Sequence, residues 1–287
     1  MRTKLKTYYR ITKPGIIYGN LMTTIGGFLY GAILEIQFGS LIAIVAGTGF
    51  VIASGCVFNN YLDRDIDQHM KRTKKRATVT GEISPRATLI YGSVLGVIGS
   101  LILAIFTNTL TTAIGAFGLV SYALIYTYVK KHSVHGTLVG TIPGALPPVA
   151  GYTAATNSLD MSAWIIFVIL VLWQMVHFYA IAIFRRSEYK KAKVPVMSVV
   201  FGVWATKIQM LFYGVAFLIA VVALAWKSYA GLLYLAIMIP LSVWWLAVLF
   251  MGPWASESEA WARKVFFMSL LMLPAFSFAL AINAWTP

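Results

Sequence analysis

The chain has 287 residues, 59% of them hydrophobic and only 11% charged, with a mean hydropathy of +0.78. That balance excludes an ordinary soluble domain and predicts an all-α polytopic membrane protein, because a chain crossing hydrocarbon must satisfy its backbone within helices. The net charge of +14 could suit nucleic acid, but the basic residues lie between apolar windows, where they set topology and meet anionic lipid; no nucleic-acid partner is expected.

Arg2, Lys4, Lys6, Arg10 and Lys13 precede the first apolar window without a small-residue cleavage site, so no removable signal peptide is expected. Windows of about twenty apolar residues, the length that crosses hydrocarbon, fall at 15–34, 41–62, 88–107, 111–129, 137–155, 162–184, 206–226, 229–250 and 263–284. They predict about nine transmembrane helices in a single domain, 1–287. The fifth is interrupted by Pro143, Pro147 and Pro148. Glycine rows such as Gly92, Gly96 and Gly99, or Gly136, Gly140 and Gly144, are read as close helix contacts. A lone cysteine, Cys56, excludes an intrachain disulfide and reads as a small core residue.

With nine spans, 22 of the 23 Lys and Arg residues fall on one side and Lys227 alone on the other. That side, with the amino terminus, is predicted to be cytoplasmic, in a bacterial inner membrane. The opposite loops, with Glu35, Thr107 to Thr112 and Asn157 to Asp160, carry little charge.

The densest ionic cluster follows the second window: Asn59, Asp63, Arg64, Asp65 and Asp67, then Lys71, Arg72, Lys74, Lys75 and Arg76. Ionic groups at the edge of hydrocarbon are costly and mark function by default. If the helix continues past Tyr61, Asn59, Asp63 and Asp67 share one face at a spacing of four and Asp65 points away. One amide oxygen and two carboxylates suit a hard cation such as Mg²⁺, which commonly shares its remaining positions with phosphates. Arg72 and Arg76 could clamp those phosphates, with Lys71 and Arg64 nearby. Four spans later a second polar loop, Arg185 to Lys193, holds Glu188 as its one acid, so two helical half-units are expected to open on a shared cytoplasmic cleft.

Within the sixth window Trp173 and His177 share a face. The imidazole is either a satisfied core donor or a functional group that binds an iron porphyrin or acts as a base. His69, His132 and His135 read as interfacial, and Trp244, Trp245 and Trp254 as belt or core residues.

Asn59-x-x-x-Asp63-x-x-x-Asp67 resembles the first aspartate-rich motif of the UbiA-type intramembrane prenyltransferases. Further stretches resemble the heme-farnesylating branch of that family: Thr12-Lys13-Pro14-Gly15, Met70-x-Arg72-Thr73-x-x-Arg76, Gly144-Ala145-Leu146-Pro147-Pro148-x-x-Gly151, Trp173-Gln174-x-x-His177-Phe178, and Glu188-Tyr189 leading to Val194-Pro195-Val196. Val176, Ala77, Tyr152 and Glu188 depart from the residues common there. The resemblance implies a UbiA-like bundle with a cytoplasmic polar cleft, farnesyl diphosphate and heme B as substrates, and Mg²⁺ as cofactor. It further implies Asn59, Asp63 and Asp67 as metal ligands, Arg72 and Arg76 as the basic pair, His177 as the sixth-span histidine, and a terminal oxidase or heme A synthase as partner. Prenylation of a quinone precursor would call for more acids in the second loop. A secondary transporter would place its ionisable groups near the midplane.

Overall fold

The structure, a computed structural model, describes residues 2–32, 35–226 and 229–283, and among them every regular element is helical. Among the described residues nine helices reach 18 residues or more: α1 (Pro14–Gly31), α2 (Phe38–Leu62), α3 (Pro85–Phe106), α4 (Thr109–His132), α5 (Gly136–Thr156), α6 (Met161–Phe184), α7 (Gly202–Trp226), α8 (Leu232–Phe250) and α9 (Ser258–Asn283). Lys227 and residues 33, 34 and 284 of the expected windows lie outside the described residues.

Seven of the nine are long and apolar enough to cross a membrane. The other two are α1 and α5. Both are helical over their windows, but they place Asn20, Thr23 and Thr137 on an internal cavity, which lowers their apolarity. Their backbones also touch: a Cβ built on Gly27 would stand 2.0 Å from Pro148 O, and one on Gly151 2.0 Å from Thr24 O. Only glycine allows that approach, which also explains how α5 runs unbroken through three prolines while braced by a neighbour.

The helix ends fall within about three residues of the expected windows except at α7, which begins at Gly202 rather than 206, and α9, which begins at Ser258 rather than 263. The first two turns of α9 carry Ser258, Glu259, Arg263 and Lys264, which hydropathy counts against a span. Short polar caps end the far-side loops. Asn108 Oδ1 accepts from Thr111 N at 2.8 Å, and Asp160 Oδ1 accepts from Ser162 N at 3.0 Å. The amino-terminal tail ahead of the first apolar window forms a helix over Arg2–Ile11 whose last carbonyl accepts from Asn60 Nδ2 at 2.6 Å.

The core runs through α5, α6, α7, α8 and α9, with Trp245, Phe217 and Met175 fully enclosed. Trp244 and Trp254, by contrast, are exposed, as are Ile105, Phe212 and Leu232. Apolar side chains turned outward on such helices face lipid rather than water.

Candidate active site

Where α2 ends, the chain keeps helical bonding across a bend. Asp63 N donates to Asn59 O at 2.9 Å and Asp67 N to Asp63 O at 2.8 Å, although the helix is formally interrupted at Asp63 and resumes over Arg64–Asp67. The spacing of four therefore survives. Asn59, Asp63 and Asp67 are buried and line one cavity of about 780 Å³. Asp65 turns outward, its side chain 62% exposed, and pairs with Lys131 at 2.9 Å. Burial alone would raise the Asp65 carboxyl; the Lys131 contact outweighs it and holds the group below its usual range.

Each of the three buried side chains has a cation against it. Lys13 Nζ donates to Asn59 Oδ1 at 2.6 Å, Lys130 Nζ to Asp63 Oδ2, and Arg76 to Asp67 Oδ2 at 2.5 Å. The amide orientation of Asn59 is fixed from behind. Its Nδ2 donates to Thr127 Oγ1 at 3.1 Å, and that hydroxyl donates to Tyr122 O, so Oδ1 is the atom offered to the cavity. Burial brings the Lys13 ammonium down to about 8. The other oxygen of Asp63, Oδ1, is buried without a partner among the described residues. A desolvated carboxylate oxygen of this kind is costly, and it is a vacancy in hydrogen bonding that a hard cation would fill. The donor set of carboxylates and an amide oxygen fits Mg²⁺.

Six basic side chains line the cavity, Lys13, Arg72, Arg76, Lys130, Arg185 and Arg263, against the two carboxylates. That excess suits a polyanion. Arg72 and Arg76 reach it from a turn-rich loop rather than a helix. Arg64 and Lys71, grouped with them by sequence, are exposed and stand outside the cavity lining; Arg64 instead packs over the Tyr61 ring at 4.5 Å. His69, His132 and His135 are exposed too, as expected. Both polar loops meet here, since Arg185 and Tyr189 line the same cavity as Asp63. Glu188 does not reach it and pairs with Arg185 at 3.2 Å. Burial pushes the Tyr189 hydroxyl up to about 12.

Sequence reasoning missed three contributors. Lys13 and Lys130 look like topology signals until burial shows otherwise. The third is a π-helical turn in α4, Ser121–Tyr126, which sets Tyr122 and Tyr126 on the cavity wall with rings stacked at 5.6 Å. Such turns recur at functional sites, but no residue type marks them. Farther along the cavity, His177 lies against Trp173, their rings 5.0 Å apart. Cys56, read as core, is fully buried and also borders the cavity.

Comparison with known proteins agrees with this architecture. The model of the UbiA prenyltransferase family matches residues 20–271. The chain is 44% identical over 280 residues to a protoheme IX farnesyltransferase of Yersinia pseudotuberculosis, covering 97% of this chain and 95% of that one. With that of Edwardsiella ictaluri the identity is 46% over the same shares. Among solved structures, one from a study of digeranylgeranylglyceryl phosphate synthase superposes with a TM-score of 0.83 at 18% identity, covering 99% and 100% of the two chains. A UbiA homolog from Archaeoglobus fulgidus bound to GPP and Mg²⁺ gives 0.69 at 17%, covering 96% and 99%. At those identities the structures establish the fold, and the sequence relatives establish more: the protein is a membrane prenyltransferase that belongs to the UbiA family and, within it, to the protoheme IX farnesyltransferases (heme O synthases).

Proposed function

We propose that the enzyme transfers the farnesyl group of farnesyl diphosphate to a vinyl group of heme B, giving heme O, with Mg²⁺ assisting departure of diphosphate. The observation that carries this is the joint burial of Asn59, Asp63 and Asp67 in a basic cavity that continues into an apolar wall reaching His177. Asn59 Oδ1, Asp63 and Asp67 would hold the ion, which when bound supplies Lewis-acid neutralisation of charge growing on the leaving diphosphate.

The chain's own residues divide the remaining work. Arg72, Arg76, Lys13 and Lys130 bind diphosphate oxygens with charge-assisted bonds, and these bonds strengthen as the allylic C–O bond breaks. Tyr122 and Tyr126, which line the cavity, would supply the aromatic rings that attract the resulting allylic cation. Ile114, Leu119 and Leu170 exclude water from it. The new C–C bond joins farnesyl C1 to the outer vinyl carbon. The cation then left beside the porphyrin takes up water and releases a proton, giving the hydroxyl group. Arg185 and Arg263, both packed on Phe184, offer positive charge to the heme propionates.

The basic residues flanking the spans support a cytoplasmic site and amino terminus in a bacterial inner membrane. The product would pass to a heme A synthase or a terminal oxidase. Incubation of the purified enzyme with heme B, farnesyl diphosphate and Mg²⁺, followed by mass spectrometry of the extracted porphyrin, tests the reaction. A porphyrin heavier by one farnesyl group and one hydroxyl is expected, and a chelator should suppress it. Unmodified heme B in an enzyme that retains its fold would sink the assignment.

A further inference from the structure

The His177 ring is held on three sides, by Trp173 at 5.0 Å, Phe266 at 4.8 Å and Phe178 edge-on at 5.4 Å. Its Nδ1 lies 2.7 Å from Ser269 Oγ. A hydroxyl has one proton to give. In Ser269 it points to Phe266 O at 2.5 Å, a separation that two oxygens tolerate only with a proton between them. Ser269 Oγ therefore accepts from Nδ1–H, and Nε2 keeps a bare lone pair. That nitrogen has no hydrogen-bond partner among the described residues and is not a buried orphan, so it opens on the cavity His177 lines. Trp173 Nε1 donates to the carbonyl of the same Ser269 at 3.0 Å, fixing α6 against α9 at this level.

Resting on the heme acceptor proposed above, we propose that Ser269 is a positioning residue that holds His177 in the Nδ1–H tautomer, so that Nε2 binds the porphyrin iron axially. Two features favour iron over a base role. Metal-bound histidines share this arrangement, with the second ring N–H bonded to an oxygen that raises ligand basicity. A base, in contrast, would become imidazolium, and among the described residues no carboxylate touches the ring to stabilise it.

Optical and resonance Raman titration of the purified enzyme with heme B tests this, with Mg²⁺-dependent binding of farnesyl diphosphate measured in parallel. Wild type is expected to give a histidine-ligated spectrum that His177→Ala loses and that free imidazole restores to His177→Gly. Ser269→Ala should weaken heme binding about tenfold and lower the iron–histidine stretching frequency of the ferrous form, while Ser269→Thr, which keeps the hydroxyl, stays near wild type. Identical spectra for wild type and His177→Ala, or an unmoved stretching band in Ser269→Ala, would overturn the proposal and leave the diphosphate site intact. A wild type that binds farnesyl diphosphate but no heme would overturn the acceptor itself.

Discussion

Asp63→Ala should lower farnesyl transfer by about a thousandfold or more, since one well-placed electrostatic contact is commonly worth 10²–10³ in rate and Asp63 is proposed to bind metal as well. The substitution has a second consequence. It leaves Lys130 in a mostly buried position without its carboxylate, and an uncompensated charge of this kind costs stability. Asp63→Asn lessens the second effect, because it keeps the volume and an oxygen that accepts from Lys130 while removing the negative charge. It should melt above Asp63→Ala and still fail in turnover. Asp65→Asn is the matched control two residues away. The Asp65 carboxylate is solvent-exposed and forms its ion pair with Lys131, a type of contact worth about 0–1 kcal/mol. Initial rates for the three variants, with melting curves in detergent, check the expectation; an Asp65→Asn enzyme as impaired as Asp63→Asn would show that the shared face does not matter.

Gly27→Ala is expected to have the largest effect on folding. The added methyl would meet Pro148 O at 2.0 Å, and both atoms belong to helix backbones that cannot turn aside as a side-chain tip can. Relief requires α1 and α5 to move apart, at about 3 kcal/mol or more, which lowers the melting temperature of a chain this size by roughly 5 °C. Gly39→Ala meets nothing within 4 Å and should leave the melting temperature unchanged. Scanning fluorimetry of the two variants in one detergent makes the comparison. Since α1 begins next to Lys13 and α5 walls the cavity, Gly27→Ala should also weaken farnesyl diphosphate binding.

Much of this was legible before any coordinates, for identifiable reasons. The Asn59, Asp63 and Asp67 face could be read because backbone bonding at i to i+4 persists through the bend at Asp63. The apolar windows could be read because lipid tolerates little else. What could not be read depends on direction rather than residue type. Lys13 and Arg10 look alike beside a span, yet one is tucked against Asn59 and the other exposed. Arg64 and Lys71 sit as near the aspartates in sequence as Arg72 does, but the turns of the loop point them outward. The π-helical turn that presents Tyr126 has no compositional mark, and Ser269 carries no signal until α9 is laid against α6.

The most direct measurement is electron paramagnetic resonance of Mn²⁺, in place of Mg²⁺, titrated into the purified enzyme with an unreactive thiodiphosphate analogue of farnesyl diphosphate. The expected result is saturable Mn²⁺ binding that depends on the analogue, persists in Asp65→Asn and disappears in both Asp63→Asn and Asp67→Asn. Equal Mn²⁺ binding by all four proteins would contradict a cation held between the buried carboxylates.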